Sequence, residues 1–215
     1  MQKSFFSSTT LKFRKKEKKG KTLRFAACLA TMAFLLPGCF GSGDTTTIEA
    51  TSQIEPIAFY RAIEVQDLGM QVPENWETIT DFSSQYPKNT LVAFRNNVQD
   101  HDFIANINVV QNQVAEGTQS ADYALTMLDT LTGQLVNFKK ISQTDFNVNI
   151  GGTAVPTYLI EFEGTNDSTE PVREFIQLYA VKETKAYIVT GTYDALDTQL
   201  AIDQIKQSLK TVYLK

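Results

Sequence analysis

Alternation of hydrophobic and polar positions predicts that the chain after residue 56 is rich in β-strands. In residues 102–111, Phe103, Ala105, Ile107 and Val109 fall on one wholly apolar face, as expected of a strand with one buried side. The same pattern predicts strands at residues 57–65, 70–72, 90–95, 138–150 (one bent strand or two short ones), 153–163, 172–181 and 185–192.

Two segments instead carry the three- and four-residue hydrophobic spacing of an amphipathic helix. The first covers residues 120–133, with Ser120 as its predicted N-cap, Asp122 in its first turn and Gly133 at its end. The second begins after Asp194, its predicted cap, and runs to the C-terminus. Its predicted apolar positions are Leu196, Leu200, Ile202, Ile205, Leu209 and Val212.

Turn-forming residues and one tryptophan complete the prediction for this domain. Pro73 ends the strand at 70–72, because proline cannot donate to a sheet ladder. Trp76, the only tryptophan, is interpreted as a core anchor, with a ligand platform as the alternative. The glycine pair at 151–152 and the turn at 182–184 predict two hairpins.

The beginning of the chain has the pattern of an export signal. Nine Lys or Arg and one acid lie within residues 3–24, and the uncharged apolar run at 25–36 is short for a transmembrane helix. An uncleaved membrane anchor and an organelle transit peptide are the alternatives. The end of the apolar run, Leu36-Pro37-Gly38-Cys39, resembles the lipobox of bacterial lipoprotein signal peptides.

That resemblance implies cleavage between Gly38 and Cys39 and a diacylglycerol joined to Cys39 through a thioether, with a further acyl chain, such as palmitate, on the amino group. Residues 1–38 are then a removed signal peptide, residues 39–56 a lipidated cysteine with a flexible tether, and residues 57–215 a single domain. The predicted location is the extracytoplasmic face of a bacterial cell membrane, either inner or outer.

Removal of residues 1–38 would change the charge of the chain sharply. Only 11 of the 20 Lys and Arg lie after that point, against 23 of the 24 Asp and Glu, so the net charge there is −12. Such a domain should be repelled by nucleic acid and by anionic lipid headgroups. Because one of the two cysteines would leave with the signal and the other would carry lipid, no disulfide is expected.

The order of predicted elements is similar to the α/β/α sandwich of PsbP-like proteins and of DcrB-type bacterial lipoproteins. The residues that carry this resemblance are Val72-Pro73-Glu74-Asn75-Trp76, the strand at 106–109, the glycine pair at 151–152 with the strand that follows, and the closing helix. The resemblance implies an α+β fold, with an antiparallel sheet of about seven strands between two main helices.

The sequence offers little catalytic chemistry. It contains one histidine, His101, in a polar turn, and no Gly-X-Ser-X-Gly motif. Asp100, His101 and Asp102 are weak candidates for a divalent cation site, because three adjacent residues cannot all point at one ion in a strand. A solvated turn is the favoured interpretation, and neither a cofactor nor an enzymatic activity is predicted.

Two functions from different classes fit these observations. The first is a non-enzymatic, lipid-anchored envelope protein with an accessory or assembly role at a membrane-associated complex, and hence with a protein partner. The alternative is an extracytoplasmic binding protein for a small ligand or a divalent cation. An exposed apolar surface would favour the first function, whereas a concave pocket with converging polar groups would favour the second.

Overall fold

The computed structural model describes residues 55–82, 86–87, 89–97 and 103–215. These residues form an α+β structure in which ten strands make one sheet. The strands are β1 (Tyr60–Val65), β2 (Leu68–Pro73), β3 (Glu77–Ile79), β4 (Thr90–Arg95), β5 (Asn106–Gln113), β6 (Val136–Ile150), β7 (Thr153–Thr165), β8 (Arg173–Lys182), β9 (Lys185–Tyr193) and β10 (Tyr213–Leu214). The helices are α1 (Ser120–Gln134) and α2 (Gln199–Lys210).

The spatial order of the strands is β1-β2-β10-β6-β7-β8-β9-β5-β4-β3. Every neighbouring pair is antiparallel except β10 with β6, which is parallel. The sheet is strongly curled, since four strands separate β2 from β9 in this order, yet Lys185 Nζ lies 2.9 Å from Asp67 Oδ2 in the β1–β2 turn. Because the sheet has ten strands, the prediction of about seven is wrong. The strands β3 and β10 are three and two residues long, too short to show alternation.

A hydrophobic core lies on each face of the curled sheet. Helix α2 packs into the concave face, where Ile205 and Leu209 meet apolar side chains of β2, β5, β8 and β9. Helix α1 covers part of the other face through Ala124 and Leu128. Trp76 lies in the first core with 1% of its surface exposed, which confirms its interpretation as a core anchor. The two helices thus stabilise opposite faces of the sheet.

Both predicted hairpins agree with the structure. β6 is one long strand whose register to β7 shifts twice in its first half, so the single bent strand is the correct alternative. Gly151 and Gly152 form its turn to β7 with φ of +57° and +83°, a conformation that glycine adopts without strain. The turn between β8 and β9 is also confirmed, and Glu183 there has a positive φ.

The predicted N-cap of α1 is wrong, although the helix itself is confirmed. The N-cap position is Gln119, whose side chain makes no capping bond. The hydroxyl of the buried Ser120 instead accepts a hydrogen bond from the backbone N–H of Val181 at 2.9 Å, which ties the helix to β8. Asp122 does lie in the first turn, and the helix passes through Gly133 to end one residue later.

The beginning of α2 also differs from the prediction. The N-cap is Thr198, whose side-chain oxygen accepts from the Ala201 N–H at 3.2 Å, whereas Asp194 belongs to a preceding turn closed by the Asp197 N–H. Leu196 and Leu200 were predicted to lie on the apolar face, but they are 71% and 67% exposed. Leu196 precedes the helix, and Leu200 lies about 100° around the helix axis from Ala201, off the buried stripe of Ala201, Ile205, Ser208 and Leu209.

Replacement of Thr198 by alanine is expected to lower the free energy of unfolding by about 1 kcal/mol, because the Ala201 N–H would lose its side-chain partner. Urea unfolding followed by circular dichroism measures the change. Thr198→Ser keeps the capping oxygen and should remain close to wild type. Equal losses in the alanine and serine variants would show that the cap is not the cause.

Candidate functional site

The site residues predicted from the sequence lie outside the described residues. This applies to Gly38 and Cys39 of the lipobox and to the metal candidates Asp100, His101 and Asp102. Within the described ranges, no three His, Cys, Asp or Glu side chains are grouped so that they could hold a metal ion. None of the helices in this part of the chain has the length and apolar character needed to cross a membrane.

The two ends of the sheet differ in character. At one end, which we call the proximal end, β1, β3, β5, β6 and β8 begin, β2, β4, β7 and β9 end, and α2 starts. The distal end carries the turns at 66–67, 151–152 and 183–184 and the C-terminal residue. The chemistry of these two ends suggests where the molecule makes contacts.

Exposed apolar side chains gather at the proximal end. The large hydrophobic residues that are exposed in the described ranges are Phe59, Leu125, Val136, Ile141, Val172, Leu196 and Leu200. Strand order places five of the seven at or beside this end, while Leu125 and Ile141 lie within α1 and β6. None of them belongs to the three distal turns. The exposed large apolar side chains of the described residues are therefore concentrated at one end of the sheet, among polar groups.

Phe59 is the most exposed of these residues, at 82%. It is the third residue of a turn closed by a hydrogen bond from the Tyr60 N–H to the Ile57 carbonyl oxygen at 3.1 Å. Its φ of +66° lies in the left-handed region, where glycine or asparagine is preferred and a bulky side chain is uncommon. The turn thus accepts backbone strain, of the order of 1–3 kcal/mol for such residues, while directing an aromatic ring into solvent.

Hydrogen bonds hold this turn against the loop between β2 and β3. The Phe59 carbonyl oxygen accepts from the Glu74 N–H at 3.0 Å. The guanidinium of Arg61 donates to the carbonyl oxygens of Glu74 and Trp76, at 3.0 and 2.7 Å, and to Thr78 Oγ1 at 2.6 Å. Three acceptors fix this guanidinium in place. The strained turn is consequently part of a rigid rim.

The same rim reaches the first turns of α2. Trp76 Nε1 donates to Gln204 Oε1 at 3.3 Å, so the β2–β3 loop touches the helix directly. Leu200 precedes Gln204 by four residues and therefore lies on the same side of α2, one turn nearer its start. The exposed Phe59 and Leu200 thus border one continuous hydrogen-bonded structure.

The cationic groups of the proximal end are occupied by partners within the protein. Arg173 forms a 3.0 Å ion pair with Asp194 and lies 3.7 Å from the ring centre of Phe103. Arg95 pairs with Glu77. Exposed carboxylates, such as those of Glu74 and Asp203, lie at the same end. The electrostatic field of this end is therefore unsuited to polyanions.

A polar network closes the distal end. Asp67 Oδ2 accepts from Lys185 Nζ at 2.9 Å and from Tyr187 Oη at 3.1 Å, and these bonds, that from Lys185 above all, lower the pKa of Asp67. Burial, followed by the bond to Asp67, raises the pKa of Tyr187. Lys215 Nζ donates to Glu64 at 2.6 Å, and the Lys215 N–H donates to the Asp67 carbonyl oxygen. Because these groups bind one another, the network holds the C-terminus in the sheet.

The network should make stability depend on pH in the acid range. The pKa of Asp67 is lowered in the folded state, so its stabilising contribution is present above the carboxyl range of the unfolded chain and is lost as the pH falls through the folded pKa. Asp67→Asn should therefore be less stable than wild type near neutral pH, and the difference should shrink below about pH 3. Urea unfolding across this range tests it; a difference that does not change with pH would contradict it.

One cleft lies between the start of α1 and the β6–β7 hairpin, with a volume of about 370 Å³. It is lined by Ala121, Asp145, Phe146, Asn147, Pro156, Thr157 and Tyr158. The Thr157 hydroxyl already donates to the Tyr179 carbonyl oxygen at 2.7 Å, while Asp145 and Asn147 are exposed to solvent. The polar groups of this cleft therefore do not converge as a specific small-molecule site would require.

Comparison with known proteins supports the fold but assigns no function. The chain matches no protein-family model and no curated protein sequence. The solution structure of the cyanobacterial PsbP protein, CyanoP, from Synechocystis sp. PCC 6803 is similar with a TM-score of 0.50 and 13% identity, covering 84% of this chain and 99% of CyanoP. The chain therefore has a PsbP-like fold of two helices with a large, curled, mostly antiparallel sheet.

Another solved structure is similar at a lower score. The crystal structure of PA94, a protein of unknown function from Pseudomonas aeruginosa, matches with a TM-score of 0.46 and 16% identity, covering 71% of this chain and 94% of PA94.

The exposure of apolar side chains at the proximal end was not predicted from the sequence. Phe59 was included in a predicted strand at 57–65, whereas β1 begins only at Tyr60. Leu196 and Leu200 were assigned to a buried helix face. Thr198, a good N-cap residue, is the local signal that could have corrected the start of α2, whereas residues 57–60 contain no glycine, proline, asparagine or aspartate that would mark the turn before β1.

Proposed function

We propose that this protein is a non-enzymatic, lipid-anchored envelope protein that has an accessory role at a membrane-associated complex on the extracytoplasmic side. The observation that carries the proposal is the sequence Leu36-Pro37-Gly38-Cys39, at the end of an uncharged apolar run that follows a basic segment. Two or three acyl chains on Cys39 would anchor the protein stably, whereas a single chain gives only marginal, reversible binding.

The described residues support this proposal in two ways. They contain no grouped metal ligands, and the one cleft described above lacks converging polar groups. Their exposed large apolar side chains gather mainly at the proximal end. Exposed apolar side chains mark contact surfaces more often than catalytic sites.

Metabolic labelling with a fatty-acid analogue tests the anchor. Wild-type protein should take up the label and remain with the membrane fraction, whereas Cys39→Ser should not be labelled. Cys28→Ser is the matched control, because it removes the other cysteine from within the apolar run and should label like wild type. Equal labelling of wild type and Cys39→Ser would refute the lipid anchor.

The accessory role needs a separate test. Affinity capture from solubilised membranes should recover the same envelope protein partner with wild type in repeated experiments, and Cys39→Ser should recover less of it, because the unanchored protein is not concentrated at the membrane. A lipidated wild-type protein that captures nothing above background would argue against an assembly role, while the labelling result would stand.

A further inference from the structure

Phe59 combines two properties that no other exposed residue in the described ranges shares. It has the most exposed large apolar side chain, and its backbone has a left-handed conformation. A strained residue that directs an aromatic ring into water is a reason to look for a contact that the isolated domain does not show.

The position of Phe59 along the chain restricts what it can contact. Phe59 lies twenty positions after Cys39, and a chain of that length reaches at most about 70 Å when fully extended. The next exposed large hydrophobic residue in the described sequence is Leu125. If Cys39 carries lipid, Phe59 is therefore the exposed large apolar side chain that the shortest length of chain connects to the anchor. The anchor keeps the bilayer at a high effective concentration around this side chain.

The shape of the proximal end favours contact with a lipid bilayer over contact with a folded protein. Phe59 projects from a turn, Leu196 lies in the turn closed by Asp194 and Asp197, and Leu200 lies in the first turn of α2. These are single projecting side chains on turns and a helix start. A protein partner needs complementary packing around each side chain, whereas lipid adapts to any projecting apolar group and accepts aromatic rings at the headgroup level.

Charge specifies which lipid surface fits. The guanidinium groups of Arg61, Arg95 and Arg173 are all engaged within the protein, and exposed carboxylates such as Glu74 and Asp203 remain. Arg95 and Arg173 are paired with carboxylates, and the charge of Arg61, whose acceptors are neutral oxygens, stands against the exposed carboxylates of Glu74 and Asp203, so the contact must be mainly apolar. Zwitterionic lipid suits such a surface, and anionic lipid should weaken the contact through repulsion.

We propose that the proximal end of the domain rests on the bilayer, with Phe59 inserted among zwitterionic headgroups and Leu196 and Leu200 beside it. This inference rests on the proposed lipid anchor at Cys39. It fixes the orientation of the domain, because the distal end, with the network of Asp67 and Lys185, then faces away from the membrane.

Site-specific fluorescence on the full, processed chain tests this orientation. Phe59→Cys, Leu200→Cys and, as a distal control, Glu183→Cys are each labelled with an environment-sensitive dye and reconstituted in phosphatidylcholine vesicles. The dyes at 59 and 200 should brighten several-fold and should be quenched by spin-labelled lipid, whereas the dye at 183 should behave as in water. Added phosphatidylglycerol should reduce the signal at 59.

Vesicle flotation separates the two proposals. Protein that does not float with the vesicles refutes the lipid anchor, and with it the premise of the docking. Protein that floats but shows no more quenching at 59 than at 183 leaves the anchor intact and overturns the docking. Quenching at 59 that appears only after native membrane proteins are added would overturn lipid docking in favour of a protein partner.

Discussion

Replacement of Trp76 by alanine is expected to lower the free energy of unfolding by about 3–5 kcal/mol. The side chain is almost wholly buried in the core on the concave face, between the end of β2 and the start of β3. Its removal would leave a cavity in the rim of that core and would free Gln204 from its indole partner. Urea unfolding followed by circular dichroism measures the loss.

Two further variants give this prediction its controls. Trp76→Phe keeps most of the buried volume but loses the bond to Gln204, so it should be destabilised much less than the alanine variant. Leu200→Ala removes an exposed side chain and should stay within about 0.5 kcal/mol of wild type. A large loss in Leu200→Ala would support the buried helix face predicted from the sequence instead of the exposed position in the structure.

The burial of Trp76 and the two hairpins were predicted correctly because a few neighbouring residues determine each of these features. Alternation in β7 and the glycine pair at 151–152 both act within a few residues, so they can be interpreted without knowing what lies across the sheet. A large tryptophan next to a proline that ends a strand is likewise more often buried than exposed. These predictions were correct because local chemistry and tertiary packing agree.

The errors arise where distant parts of the chain decide the structure. β10 is two residues long and exists because a gap between β2 and β6 accepts it, which no local pattern can show. Ser120 is a good N-cap residue, but its hydroxyl binds the Val181 N–H, sixty-one residues away. The candidate surface was missed for a related reason: Phe59 reads as a strand residue until the turn that closes on Ile57 is known.

Gly191 is another position at which a distant part of the chain decides the structure, and its replacement is the second change expected to lower stability strongly. It lies within β9, and a Cβ placed there would overlap Cγ2 of Ile205, which is fully buried on α2. The glycine therefore permits the close approach of α2 to the concave face. Gly191→Ala should force the helix or the isoleucine to shift, and overpacking of this kind costs about 1–3 kcal/mol in unfolding free energy.

A double-mutant cycle identifies the cause of that loss. Ile205→Ala alone should cost about 2–5 kcal/mol, because it leaves a cavity in the core. In the double variant the new methyl group at 191 enters space vacated by Ile205, so the combined loss should fall short of the sum by about 0.5–3 kcal/mol. Additive losses would show that the two positions do not touch. Because Leu200 lies on the same helix, a shift of α2 in Gly191→Ala should also move the exposed proximal side chains, linking the packing of one strand glycine to the surface on which the domain is proposed to rest.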